Sequence, residues 1–430
     1  MKHQTLAVEA FKQKQGRMAL YADVGIGKTF ICVQAALGVE AGKILILCPA
    51  LIKKQWAGEI MRYMDKDQAQ VVEGNTASRI HQYNLKRFTI ANYDLLNCEN
   101  DLRAMAAAQY DMIILDESQS CNNPTSKRVK HLKMLTPRYR LAASGTIWPN
   151  ALWECYSVID WLMPGLLGRN FWSFRQEYCY THPTFHGIIG LRNEKELLNR
   201  IRPLIHRITA EDANLKLPPK TDRKIWVEMD ENERKQYEQL KNELRIEVEG
   251  MEKLTVPNLL ALIIRLRQLT DCPSIFDLKY ESAKEKELEK LLPTITGKVL
   301  IFTEFVPLCI KLWKRYGGLC ITGSTPTGER STILEEFKTG QERFLFGTSA
   351  LRNGANIQSA KTVIHFSLPF HDAALIQRLG RIYRHGQTQE VEEIYLLTNN
   401  SIDERIWQII LRKRKIEGKF NRNELISLLK

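Results

Sequence analysis

"YADVGIGKTF" (residues 21–30) joins the apolar run "RMALYA" to the helical pattern "TFICVQAAL", with two glycines and a Lys-Thr pair between them. Strand, glycine loop and helix in that order form the βα unit of a parallel sheet, which binds ligands at the carboxyl ends of its strands. The strict phosphate-loop pattern asks for a glycine where Ala22 stands, giving A-D-V-G-I-G-K-T here. The physics survives that change. Gly25 and Gly27, either side of Ile26, can take positive φ so that successive backbone N–H groups face an anion at the start of a helix. Lys28 would then reach the β and γ phosphates of a nucleotide, and the Thr29 hydroxyl would ligate Mg²⁺. The alternative is a glycine turn with an incidental lysine, and the flanking strand and helix weigh against it.

Further along the chain, "IILDESQS" ends an apolar strand in two carboxylates. Asp116 could hold Mg²⁺ directly or through water, and Glu117 could orient and deprotonate an attacking water. A pair like this can also be a solvated turn; lying two βα units after a phosphate loop, it reads as the partner of that loop. Further strand candidates in the first half are "KILILCP", "RFTIANY" and "YRLAASG". A second series runs through "KVLIFTEF", "GGLCITG", "RFLFGTS", "KTVIHFSLP" and "EEIYLLT". Residues 150–290 between the series read as largely helical, with the proline pair of "LKLPPKTD" as linker. The expected fold class is α/β: two lobes with parallel sheets, residues 1–220 and 221–430, and helical insertions between and around them.

The composition is compatible with this and narrows the partners. The chain has 430 residues, more than one core usually serves, and 44% are hydrophobic, enough for real cores. Sixty-two Lys+Arg against 49 Asp+Glu leave a net charge of +13, which favours a polyanionic partner. The nine cysteines include no C-x-x-C pair and no neighbouring histidine pattern, so a zinc site or a disulfide framework is not expected. No apolar run approaches a membrane span and the first residues lack a signal-peptide core, so the expected localisation is cytoplasmic, or nuclear in a eukaryote.

With these motifs in hand the sequence resembles helicase superfamily two, and in its details the Swi/Snf branch of DNA-translocating ATPases. The resemblance implies two RecA-like lobes, ATP with Mg²⁺, and DNA as partner. It places Gln4 where the family reads adenine. "ILILCPALIKKQWAGEI" and "FTIANYDLL" are similar to its DNA-contacting segments, implying contacts near Pro49, Lys53, Lys54 and Tyr93. "ASGTIWPNALWE" resembles the coupling segment, with Ser144, Gly145 and Thr146 matching and Ile147 in place of the usual proline. Trp148 there could stack on a base or pack in a core. In "GTSALRNGANIQSAKTVIHF" the match implies DNA contact at Ser349 and Asn356 and a nucleotide role for Gly354, although Leu351 and Arg352 replace common glycines. "QRLGRIYRHGQTQE" is similar to the most diagnostic motif, placing Gln377, Arg381, Arg384, Gly386 and Gln387 on its positions. The resemblance implies arginines of one lobe completing an ATP site opened and closed by lobe movement.

The expected function is an ATP-dependent, sequence-nonspecific DNA translocase. The motifs fill most of the 430 residues, leaving no room for histone-reading modules, and this compactness suggests branch migration, fork regression or annealing rather than nucleosome sliding. Two rivals stand beside it: a strand-separating helicase, and a catalytically dead scaffold binding DNA or protein. A metal-dependent nuclease is disfavoured, because the carboxylates are used by the ATP site. The carboxyl-terminal run "LRKRKIEGKF" could touch DNA or be a solvated helix end.

Overall fold

A computed structural model describes residues 1–23, 25–64, 66–145, 152–181, 187–215, 217–249, 256–351, 356–370, 372–408 and 410–411. The chain divides at residues 216/217 into two compact units.

The first unit is built on a seven-stranded sheet: β1 (Arg17–Ala22), β2 (Ile44–Cys48), β3 (Ala69–Val71), β4 (Phe88–Asn92), β5 (Met112–Asp116), β6 (Tyr139–Ser144) and β9 (Ile205–Ile208). The spatial order is β3-β4-β2-β5-β6-β1-β9, and every pairing is parallel. The central strands "ILILC" and "MIILD" are buried at every residue, as strands covered on both faces must be. Helix α1 (Lys2–Gln13) packs on α2 (Lys28–Gly38), and α3 (Lys53–Tyr63) follows β2. Register aligns the carboxyl ends: Tyr21 lies beside Ser144, and Asp116 beside Ala143. Loops after β1, β5 and β6 therefore meet at one edge. A small antiparallel hairpin, β7 (Cys179–Thr181) with β8 (Ile188–Leu191), lies in the stretch read as helical.

The second unit carries a six-stranded parallel sheet: β10 (Lys220–Val227), β11 (Lys298–Phe302), β12 (Leu319–Ile321), β13 (Phe344–Gly347), β14 (Ala360–His365) and β15 (Val391–Thr398), in the order β10-β15-β14-β11-β13-β12. Its cores gather Val299, Ile301, Phe346 and Ile364 on one face and Leu300, Phe302, Leu345 and Val363 on the other. All ten strands expected from the sequence are present.

Residues 150–290 are largely helical, as read, but they also hold strands that the sequence reading did not mark. Besides the helices Tyr156–Leu162, Phe171–Tyr178, Glu194–Ile201, Glu231–Glu249, Val256–Asp271 and Ala283–Leu291, the described residues of this stretch hold four strands, of which β9 closes the first sheet and β10 borders the second. The proline pair is docked as well: the Pro218 carbonyl accepts from the Tyr383 hydroxyl at 3.2 Å, and the Pro219 carbonyl from the Val391 amide at 3.0 Å. The boundary between the two units falls in this segment, which leads straight into β10. Among the described residues, no helix is long and apolar enough to cross a membrane.

Candidate nucleotide site

The chain leaves β1 at Asp23 and passes through Gly25 (φ 88°) and Gly27 (φ 87°) before α2 begins at Lys28. Gly27 is the N-cap of α2, left-handed and with no side chain accepting from the first turn. As a glycine, Gly27 brings no side chain of its own to these amides, and a helix start led by left-handed glycines is the geometry of an anion site. Only glycine fits, because a Cβ on Gly27 would also stand 2.6 Å from Gln4 Nε2. That amide nitrogen donates to the Ile26 carbonyl at 3.2 Å, and His3 Nε2 lies at the same distance from the same oxygen. Gln4 therefore clamps the buried Ile26 in this structure. His3, which the motif reading passed over, does so too.

Lys28 Nζ folds back on the loop, donating to the Ala22 carbonyl at 2.8 Å and the Asp23 carbonyl at 3.2 Å. Thr29 follows in the first turn, partly buried. Asp23 ties the loop to β9: its amide donates to Ile208 and its carboxylate accepts from the Ala210 amide at 2.9 Å.

Asp116 is buried at the end of β5. Its Oδ2 accepts from Trp56 Nε1 at 2.8 Å and its Oδ1 from the Glu117 amide at 3.0 Å. The Tyr93 hydroxyl donates to the Asp116 carbonyl at 2.7 Å. Burial pushes the carboxyl up to about 6 and the neighbouring Glu117 charge adds to this, while the Trp56 hydrogen bond and the Lys28 ammonium oppose.

Glu117 sits in the left-handed region (φ 52°, ψ 54°), uncommon for a side chain of this size. Gln119 Nε2 donates to Glu117 Oε2 at 2.7 Å, and Ser144 Oγ donates to Gln119 Oε1 at 2.8 Å. The coupling segment thus reaches the second carboxylate through one glutamine. Gly145 is the last described residue after β6; Thr146 and Trp148 lie outside the described residues.

The residues expected to grip DNA separate into two groups. Pro49 caps the short turn Ala50–Ile52 ahead of α3, and Lys54 and Ser349 are exposed. Lys53 is turned inward, donating to the Val72 carbonyl at 2.7 Å, with Glu73 at 3.7 Å. Tyr93 is buried and its hydroxyl serves Asp116. In this structure both of these side chains have internal partners. Asn356 is partly buried, its Oδ1 without a hydrogen-bond partner among the described residues; Gly354 lies outside them.

In the second unit Gln377 lies on the helix Asp372–Leu379, and its carbonyl accepts from Arg381 Nε at 3.0 Å. Arg381 is buried and Arg384 partly so. The motif reading missed Arg378, which lies between Gln377 and Arg381. Its buried guanidinium donates to the Ser367 carbonyl at 2.9 Å, pairs with Glu304 and lies over the Phe302 ring, fastening this helix to the sheet. Gln387 acts as a staple: its amide reaches the carbonyls of Gln358, Ala360 and Ile382 at 3.1–3.2 Å, and its oxygen accepts from Thr388 and Gln389.

Residues 4–275 match the family model of the SNF2-related domain. The chain belongs to that family. Residues 283–386 of this SNF2-related chain match the helicase conserved C-terminal domain. An uncharacterised ATP-dependent helicase of Mycoplasma genitalium is 24% identical over 430 residues, covering 96% of this chain and 41% of that protein. The ISWI chromatin-remodeling complex ATPase ISW1 of Saccharomyces cerevisiae is 25% identical over 436 residues, covering 92% of this chain and 38% of that protein. The chain thus spans about two fifths of these relatives. A solved Sulfolobus solfataricus SWI2/SNF2 ATPase core in complex with dsDNA is 23% identical with a TM-score of 0.45, covering 98% of this chain and 91% of that one.

Proposed function

We propose that this SNF2-related core hydrolyses ATP in response to DNA and moves along duplex without reading its sequence. The observation that carries the proposal is the uncapped, glycine-led start of α2 on the strand two places from β5, whose end bears Asp116 and Glu117. Those groups suit a nucleotide and its metal: amides and Lys28 for phosphate, the Thr29 hydroxyl and a fixed Asp116 carboxylate for a hard cation. Mg²⁺, when bound with ATP, supplies charge neutralisation on the phosphates.

The chain's own groups do the rest. Lys28 exchanges the carbonyls of Ala22 and Asp23 for phosphate oxygens. Glu117, held by Gln119, takes the proton of the attacking water. Gln377, Arg381 and Arg384 are proposed to bring positive charge and hydrogen bonds to the transferring phosphoryl group, and Gln4 to meet the adenine. Pro49, Lys54, Ser349 and Asn356 remain the proposed DNA contacts, favoured by the net charge of +13.

Forked or branched duplex is the finer reading of the substrate. It rests on the Swi/Snf-type motif set; the chain's length lends it nothing, since relatives run to more than twice that length.

The deciding experiment compares ATP turnover on single-stranded, duplex, forked and four-way-junction DNA as salt is raised. Turnover stimulated by duplex and most by branched DNA, independent of base sequence and falling steeply with salt, is expected. Equal turnover with and without DNA at low salt overturns the reading. Stimulation by single strands, with displacement of a long oligonucleotide from a tailed duplex and no action on junctions, favours the strand-separating helicase. Lys28→Ala should weaken nucleotide binding and stop turnover; turnover intact in that variant would remove the site.

A further inference from the structure

Trp56 is 2% exposed on α3, on a stripe with Ala57 and Ile60, and packs in the same core as Cys48, Ile90 and Ile114. An indole N–H can only donate, and when buried it needs an acceptor. Here that acceptor is a carboxylate oxygen, Asp116 Oδ2 at 2.8 Å. The other oxygen is taken by the Glu117 amide at 3.0 Å, and the residue's carbonyl by the Tyr93 hydroxyl at 2.7 Å.

Each anchor comes from a different part of the lobe: α3, the turn after β5, and the turn after β4. A carboxylate has about four acceptor directions, so two occupied ones still leave room for a cation or its water. The two donors fix the carboxylate plane in advance. A carboxylate held in this way loses little freedom when a metal arrives, as neighbouring hydrogen bonds do for metal ligands in general.

We propose that Trp56 is a positioning residue that sets the Asp116 carboxylate for its divalent metal, and so tunes metal affinity rather than nucleotide affinity. The proposal rests on the ATP reading above. Nothing in the motif reading assigned Trp56 a role beyond its place in "KKQWAGEI".

The test replaces Trp56 by Phe, which keeps a ring and removes the donor. Mn²⁺ serves as the probe, with its free concentration followed by electron paramagnetic resonance in the presence of a non-hydrolysable ATP analogue. Analogue binding in EDTA and the melting temperature are measured in parallel. Mn²⁺ affinity should fall about 10- to 100-fold in Trp56→Phe, with metal-free analogue binding essentially unchanged. Trp56→His, which can present a ring N–H, should recover part of the loss.

A purely structural role would lower the melting temperature and leave Mn²⁺ affinity alone, and that result overturns the proposal. Should Trp56→Phe fail to fold, the indole ¹H–¹⁵N resonance of the wild type, assigned by its absence in Trp56→His, takes its place. It should shift on adding Mg²⁺ to the analogue complex, and a stationary resonance overturns the proposal. If the wild type binds neither analogue nor Mn²⁺, the ATP reading itself has failed and Trp56 falls with it. If the wild type and Trp56→Phe bind Mn²⁺ alike, only the positioning role has failed.

Discussion

The chain Ser144–Gln119–Glu117 allows a graded prediction, because its two hydrogen bonds differ in kind. Gln119→Leu keeps the side chain's volume and removes the donor that holds Glu117 Oε2 at 2.7 Å. A hydrogen bond to a charged group contributes about 1.5–3 kcal/mol. If that energy holds the general base in its working orientation, kcat should fall about 10- to 100-fold at about 1.4 kcal/mol per decade. Ser144→Ala removes a neutral bond, Ser144 Oγ to Gln119 Oε1 at 2.8 Å, worth about 1 kcal/mol. A fall of about fivefold is expected there. Since Ser144 reaches Glu117 through Gln119, the double variant should be little worse than Gln119→Leu alone. Glu117→Gln sets the floor, binding ATP without hydrolysing it. The assay is steady-state ATP turnover at saturating duplex DNA, alongside affinity for a fluorescent nucleotide, which should stay constant through the series. Wild-type turnover in Gln119→Leu, or losses that multiply in the double variant, would refute the reasoning.

Gly27→Ala forces a side chain into φ 87° and against Gln4 Nε2 at 2.6 Å, so fluorescent-nucleotide affinity should drop sharply in titration. Arg381→Ala and Arg384→Ala should bind fluorescent nucleotide while turnover falls by about 10³ or more, and lysine at either position should not restore it. Burial pushes the Glu233 carboxyl up to about 7 from 4.5, and its Oε1 has no hydrogen-bond partner among the described residues. Between those values the folded chain holds a proton that the unfolded chain has released, so stability falls as pH rises through this window. Glu233→Gln should remove that slope, leaving urea midpoints similar to wild type near pH 5 and higher near pH 8, by on the order of 2 kcal/mol in stability.

The parts of the fold that were legible are those whose environment is uniform. Strands such as "ILILC" and "MIILD" are covered on both faces, so their sequences are unbroken apolar runs. The strands that escaped notice sit where one side is open. β10, "KTDRKIWV", pairs only with β15 at the border of its sheet, and most of its residues are exposed. Charged side chains on such a strand discourage pairing with another chain, and they erase the apolar signal. β3 is a border strand of three residues, and β9 reads buried only at its two ends. The phosphate loop and the carboxylate pair were readable because their chemistry lies in consecutive residues. His3, Trp56, Tyr93, Gln119 and Arg378 were not, because the partners of each are chosen by the packing of separate elements.

The two adjacent lysines of α3 show where a finer reading of the sequence would have succeeded. Lys53 and Lys54 look equivalent as charge, yet a helix turns 100° per residue and sends them to different faces. Lys53 stands three, four and seven residues before Trp56, Ala57 and Ile60, which are all buried. That spacing is the apolar stripe of an amphipathic helix, and it places Lys53 among the inward positions. A lysine there can bury its aliphatic stem and carry its ammonium to the nearest acceptor, here the Val72 carbonyl at 2.7 Å. Lys54 and Gln55 fall on the opposite face and are exposed. The charge that α3 offers to a phosphate backbone from this pair is therefore that of Lys54. Lys53 instead joins the start of α3 to the end of β3, steadying the helix that carries Trp56 to Asp116.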